Sequence, residues 1–570
     1  MKEKTKKLFR KIFLHRYQLL ILGVILFTFL VNAFHTQFPD EFDNIFGGFL
    51  INQGKLPYTG FFTHHNPGAY YFASLITLFT GRSFVQFRIV FALVLSSFYA
   101  FSYFFLKERL KEKSLDHFLV YGLIIGLGST YWWGQMLLSE TLVGYMLVPV
   151  FLLIIEKAFS KIPFDLKDLV FISVLTFLSL FVSLTYIYLV PVIIGVSLYL
   201  YFKDQKKVAF RHIVKPAAIF ALPYVLFLLY LVISGSYKEF YFASVTYNVK
   251  YYIYNFPQVA GTYSRNPIRY AVSIARTNIN QLFSLLTQVK NFNFSYPLNI
   301  SLGIGITGLF IYLLLKRKFT LFILVLGMFL YTNARSDPLD VHETDFHSTV
   351  YIMCASALSL FLLHKIKEEL NVVQKRFSDT LILSSVFLTV GIYWVFNFYF
   401  LGNQFIDKAY GKFMGRDPLI YDRAQTAQTL NKLVSESEYY WIGPFELQEL
   451  LYINGKVASR YFWYLPASSR DEKIRTELIS DFEKNKPKVI VYKKWWANFG
   501  VQPEDFNGII VNYLDKNYFQ ISDLKKEGLN IHVKVGKELN FDFENEYFFD
   551  KSRKDEIVRE MLDKGLIEEI

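Results

Sequence analysis

About eleven apolar runs, each near the length that crosses a bilayer, constrain this chain more than any other feature. They fall near 17–34, 83–106, 118–133, 139–156, 169–184, 186–202, 213–233, 297–315, 319–333, 346–363 and 380–400. In hydrocarbon a backbone must satisfy its own hydrogen bonds, so such runs are predicted to be helices. The rest of the composition agrees. At 570 residues the chain exceeds one compact domain, and 53% hydrophobic residues with 60 Phe and 40 Tyr are too apolar for a single soluble fold. The formal charge of +13 sits in short clusters between apolar runs. That pattern is one of membrane topology and argues against a nucleic-acid partner.

The clusters Lys2 to Arg16, Lys107 to Lys113, Lys157 to Lys167, Lys203 to Lys215, Lys316 to Lys318 and Lys365 to Arg376 alternate with poorer loops. By the positive-inside rule they belong to the cytoplasmic side. The first run has no small-residue cleavage site before Phe38-Pro39-Asp40, so it is predicted to be a retained span. An odd number of spans from a cytoplasmic N-terminus then places everything after Phe400 outside. The apolar stretch 67–80 is too short to cross and is predicted to be an interfacial or re-entrant helix. The expected fold is a polytopic α-helical membrane protein: a transmembrane part over 1–400 with long outside loops at 35–82 and 234–296, and a soluble mixed α/β domain over 401–570. In that domain Tyr439 to Ile442 and Val489 to Tyr492 read as strands, and 551–570 as a charged helix. In the second long loop Arg269, Ser273 and Arg276 recur at helical spacing among Ile274, Ile279 and Leu282, the pattern of an amphipathic interfacial helix. Cys354, the single cysteine, lies in an apolar run and excludes an internal disulfide or thiolate zinc site.

Polar chemistry concentrates in the first outside loop. Phe38-Pro39-Asp40-Glu41-Phe42-Asp43 leads into a short helix with Phe42, Ile45, Phe46 and Phe49 on one face. Asp40 stands where an N-cap belongs, so capping and a favourable dipole interaction compete with a catalytic role. Gly54 to Gly60 makes a turn containing Tyr58. His64-His65-Asn66-Pro67 opens the next helix, with Asn66 as expected cap and Pro67 as first helical residue. Adjacent histidines without a third ligand are a weak zinc signal, and no metal is assigned to them.

An acidic pair just after the first span, a Gly-Pro-Tyr turn and a proline-containing helix start with tyrosines resemble the first loop of GT-C glycosyltransferases, among them protein O-mannosyltransferases and lipid A aminoarabinose transferases. The resemblance extends to Arg88, to Glu140 and, more weakly, to His342, Asp345 and His347. It implies a GT-C-like membrane domain and a sugar donor linked to polyprenyl phosphate. It also implies reaction on the extracytoplasmic face, in the cell membrane, with a lipid, polysaccharide or protein acceptor. Here Asp43-Asn44 stand where the family often has a tyrosine, and His65-Asn66 where it often has a lysine.

An acceptor hydroxyl must lose a proton as it attacks the anomeric carbon, which requires a carboxylate base; Asp40 is the first candidate and Glu41 the second. The leaving phosphate needs cations or N–H donors, and Arg265, Arg269, Arg276, Arg335, His342 and His347 are the outside-facing candidates. Asp43, Tyr58, His64, His65, Arg88 and Glu140 are candidates for substrate contacts, Glu140 equally for capping. A phosphate monoester leaving group does not require a divalent ion, so no cofactor is expected. Two other readings stand beside this one. A non-catalytic envelope scaffold would tolerate loss of the acidic pair, and a transporter would need more ionisable residues within its spans.

Overall fold

The computed structural model describes residues 16–34, 37–111, 115–129, 132–203, 210–252, 266–287, 296–333, 346–371, 373–374, 425–497, 500–527, 531–533 and 547–569. They form two compact units assembled from separated stretches: Met1–Gln37, Val85–Tyr230 and Ser264–Tyr410 in one, Phe38–Phe84, Leu231–Tyr263 and Gly411–Ile570 in the other. The first long loop and the front part of the second, to Tyr263, therefore group with the C-terminal part of the chain, while the rest of the second loop belongs to the helical unit.

The first unit is helical. Apolar runs become the helices Arg16–Asn32, Phe84–Leu110, Asp116–Gly128, Ser139–Ser160, Leu166–Val182, Leu189–Lys203, Phe210–Ile233, Tyr296–Leu315, Phe319–Phe329 and Thr349–Glu369. The last expected run, 380–400, lies outside the described residues. Among those described, four helices are long and apolar enough to cross a membrane: Phe84–Leu110, Ser139–Ser160, Ile213–Ile233 and Phe346–Glu369. A 3-10 turn, Leu184–Ile187, joins two helices where Thr185-Tyr186 interrupts the apolar pattern.

Large apolar side chains are exposed on this unit as well as buried in it. On the Pro267–Thr287 helix, Asn278 and Gln281 face inward, while Ile268, Val272, Ile279 and Phe283 form an exposed stripe. Asn278 Oδ1 accepts from Thr332 Oγ1 at 3.1 Å and from Asn333 N at 3.2 Å, and Gln281 Nε2 donates to Ser348 Oγ at 3.1 Å. The expected helix is present, with two amides, Asn278 and Gln281, buried beside Ile274 and Leu285. Arg269 and Arg276 are exposed on it.

Ion pairs gather the basic clusters that begin at Lys107, Lys157, Lys316 and Lys365 to one end of this unit. Asp168, fully buried, accepts from Arg109 Nε at 2.7 Å and pairs with Lys157. It also completes a capping box with Asp165 at the start of Leu166–Val182. Lys318 Nζ donates to Phe159 O at 2.9 Å, Lys316 pairs with Glu369 at 2.7 Å, and Lys365 with Glu156 at 3.1 Å. Removing one partner of a buried pair such as Lys157–Asp168 costs about 3–5 kcal/mol.

The second unit contains a five-stranded mixed sheet. Its strands are β1 (Tyr439–Gly443), β2 (Lys456–Val457), β3 (Val489–Tyr492), β4 (Tyr518–Gln520) and β6 (Tyr547–Asp550), in the order β2-β1-β3-β6-β4. β1 runs parallel to β2 and β3, and β6 runs antiparallel to β3 and β4. β1 and β3 read as nearly continuous apolar runs because they are buried on both faces. β5 (Ile531–Val533) and β7 (Ile567–Glu569) pair separately. The expected C-terminal helix is shorter than 551–570. It spans Lys554–Asp563, ends before Gly565 at φ 63°, and yields to β7.

Against this sheet domain pack the helices Pro39–Asn52 and Gly68–Thr80 with their connecting loop. The two helices meet at glycine. A Cβ on Gly48 would stand 2.6 Å from Ala73 Cβ and from Ser74 N, and one on Gly47 would strike the Tyr70 ring. Asn52 locks the contact, donating to Ser74 O at 3.0 Å and Thr77 Oγ1 at 2.8 Å while accepting from Ser74 Oγ at 2.6 Å. Leu75, Leu78 and Phe79 project from Gly68–Thr80 exposed, as an interfacial helix requires. Gly48→Ala should therefore destabilise the protein by about 1–3 kcal/mol, because backbone must move. Gly23→Ala, with open space around its Cβ in an apolar helix, should be neutral or stabilising by up to about 1 kcal/mol. Thermal unfolding in detergent reads both.

Candidate functional site

Helix Pro39–Asn52 begins two residues earlier than an N-cap at Asp40 implies. Proline lacks an N–H and has a helical φ, so Pro39 is the first helical residue and Phe38 the N-cap, without a side-chain cap bond. Asp40 is thus in the first turn and is not the N-cap. At the next helix the offset runs the other way: Gly68 is the first helical residue, Pro67 takes the cap position expected for Asn66, and Asn66 precedes it. Asp40 and Glu41 both lie in the positive field of the helix start. Their exposures differ: Asp40 is half-buried, whereas Glu41 is fully buried.

Asp43 follows Asp40 by three residues, so the two share a face of the helix. Asp43 is buried. Its Oδ2 accepts from the Tyr70 hydroxyl, and its Oδ1 is enclosed with no hydrogen-bond partner. Tyr70 Oη lies 2.6 Å from Thr63 Oγ1, which in turn accepts from His65 N at 3.1 Å. Burial pushes the Asp43 carboxyl up to about 7; the Tyr70 bond opposes this and the neighbouring Asp40 charge adds to it. The arrangement is a proton-holding carboxyl backed by a hydroxyl chain, with a more open carboxylate beside it.

The connecting loop is held from the sheet domain. Tyr58, at φ 72°, donates its hydroxyl to His65 O at 2.9 Å. Its carbonyl accepts from Arg460 Nη1 at 3.0 Å. Phe62 N donates to Arg460 O at 2.9 Å, and Asn248 Nδ2 to His64 O at 2.9 Å. Arg460 also pairs with Glu239 at 3.2 Å and with Glu477, and Lys473 pairs with Glu239 at 2.8 Å. Those cations hold the Glu239 carboxyl below its usual range against the opposing effect of burial. His64 sits among His65, Tyr252, Trp463 and Tyr247, with ring centroids 3.9–6.0 Å away. Beside this junction a polar cavity of about 610 Å³ is lined by Lys55, Glu239, Arg460, Glu477, Asp481 and Asn485 among others. None of the three acidic residues of the helix start lines it.

Asp40, Glu41, Asp43, Tyr58, His64 and His65 thus come together in the second unit. Arg88, Glu140, Arg269, Arg276 and His347 belong to the first. There Arg88 is 1% exposed, Glu140 lies buried in the first turn of Ser139–Ser160, and His347 is buried in the 3-10 turn Phe346–Ser348. Leu138 is the N-cap of Ser139–Ser160, and Glu140, two residues on in the first turn, stands in the favourable field of the helix start. Arg265, Arg335, His342 and Asp345 lie outside the described residues. Sequence reasoning missed Tyr70 and Thr63 as partners of Asp43, and Arg460 as the clasp on Tyr58. No spacing rule links residues 27 or 402 positions apart. No family model matches the chain, and no curated protein does.

Because the folded Asp43 carboxyl titrates near 7 and its unfolded counterpart near 3.8, the folded state binds the extra proton between these values. Stability from this group is therefore present at low pH and is lost as pH rises from about 4 through 7, by roughly 4 kcal/mol at most. Asp43→Asn should flatten that slope and unfold at a higher temperature than the parent at pH 8. A pH series of thermal unfolding on both proteins checks it.

Proposed function

We propose that the protein is a membrane glycosyltransferase that moves a sugar from a polyprenyl-phosphate donor to an acceptor hydroxyl. Asp40 is the general base. The observation that carries this reading is the half-open carboxylate of Asp40 at a helix start, beside a buried carboxyl that holds a proton near neutral pH, in a unit from which Leu75, Leu78 and Phe79 project exposed. In the reaction the acceptor O–H loses its proton to Asp40 as its oxygen bonds to the anomeric carbon. The bond from that carbon to the phosphate oxygen breaks, and polyprenyl phosphate leaves with the electron pair.

Asp40 is preferred to Glu41 because a fully buried carboxylate has no path to an acceptor. Asp43 keeps a proton and so limits the negative charge beside Asp40 while the base is ionised. Arg269 and Arg276, exposed and seven residues apart on one helix face, are proposed to meet the donor phosphate, with Arg265, Arg335, His342 and His347 as further cations, and Arg88 is a proposed substrate contact. Tyr58, His64, His65 and Glu140 remain the proposed substrate contacts. The finer topology belongs to the same proposal: eleven spans in the plasma membrane, a cytoplasmic N-terminus, and the second unit outside, where nucleotide sugars are absent and a lipid-linked donor is needed.

Asp40→Asn tests the base directly. Since Phe38 is the N-cap, the substitution keeps the side chain's shape and costs the dipole interaction, about 0.3–1 kcal/mol. Turnover should fall by roughly a hundredfold or more while donor affinity holds. A folded Asp40→Asn protein with parental turnover would remove Asp40 from the mechanism.

A further inference from the structure

The first unit holds a second cluster of chemistry-bearing side chains that the transferase reading does not use. His117 lies in the first turn of Asp116–Gly128, Glu156 near the end of Ser139–Ser160, and His364 near the end of Thr349–Glu369. Each offers one ligand atom within 4.8 Å of the other two. The imidazoles stack with centroids 4.5 Å apart, and His117 and Glu156 are both more than nine-tenths buried.

The orientation of Glu156 is the informative detail. Its Oε2 is taken by Lys365 Nζ at 3.1 Å. Its Oε1 is enclosed and accepts no hydrogen bond, although His117 Nε2 stands only 3.2 Å away. The two atoms are close without being aligned as donor and acceptor. Two ligands of one tetrahedral ion, each about 2.0–2.1 Å from it, stand about 3.3 Å apart. Glu368, whose Oε1 is 3.4 Å from His364 Nε2, is half-exposed at the cluster's open side.

We propose that His117, Glu156 and His364 bind a divalent transition-metal ion, Zn²⁺ foremost, with Glu368 or water as a fourth ligand. Two imidazoles and one carboxylate are a borderline donor set that favours zinc over magnesium or calcium. Lys365 keeps its hold on Oε2 and orients the carboxylate from behind. Bound there, the ion ties three helices together at the end where the basic clusters meet, a structural role. The proposal uses none of the residues assigned to sugar transfer.

The test uses the full chain, purified in detergent, stripped with EDTA and titrated with Zn²⁺, and with Co²⁺ as a spectroscopic probe. One ion per chain is expected, with a visible Co²⁺ band of tetrahedral type and a higher unfolding temperature. Glu156→Gln and His364→Ala should each weaken binding by more than about tenfold, and Glu239→Gln, in the second unit, should not. Should a variant fail to fold, X-ray absorption on the zinc-loaded parent decides, with two imidazoles expected in the ligand shell. No stoichiometric binding by the parent, binding indifferent to both cluster substitutions, or a shell without imidazole would each overturn the site.

Discussion

The close approach of helices Pro39–Asn52 and Gly68–Thr80 is the constraint on which the candidate site depends. With two glycines at the crossing and Asn52 clamping Ser74 and Thr77, the backbones come near enough for Tyr70 to reach Asp43. That contact encloses a carboxyl which, left ionised and half-satisfied, would cost several kcal/mol. The group keeps its proton instead, and a buried carboxyl titrating near neutrality arises beside the half-open Asp40. Loosen the crossing and the electrostatic arrangement goes with it.

Such a helix pair could not hold its loop alone. The segment from Tyr58 to His65 carries a residue at positive φ and several backbone groups that need partners. Arg460 supplies two of them, bonding Tyr58 O and presenting its own carbonyl to Phe62 N, and leans on Glu239 and Glu477. The C-terminal sheet domain therefore has a physical task in this unit: it fixes the loop that follows the acidic helix. Tyr247 bonding Ser468 and Lys473 bonding Glu239 extend the same anchorage to the stretch around residues 237–252.

Periodicity and charge in the sequence anticipated the helices, the strands β1 and β3 and the meeting of four basic clusters at one end, because each follows from local pattern. The first of the two loop helices starts two positions ahead of the place its acidic residues suggest, since proline suits the first turn, and the second starts one position late, at Gly68 with Pro67 as its cap. Less visible was everything that needs two distant segments at once. Asp43 looked like a substrate contact, and its pairing with Tyr70 depends on a crossing that only the glycines make possible. The sequence around Arg460 carries no sign that Tyr58 is its partner. His117, Glu156 and His364, on three helices, share no spacing at all.

The account's central claim is that the acidic helix start performs group transfer from a lipid-linked sugar. Its most direct measurement is release of polyprenyl phosphate when the purified full chain, in lipid, is given a panel of polyprenyl-phosphate sugars with candidate hydroxyl acceptors. The account predicts acceptor-dependent release from at least one donor, with the sugar recovered on the acceptor. A folded protein that binds such donors and releases no polyprenyl phosphate from any of them, with every acceptor class present, would contradict it.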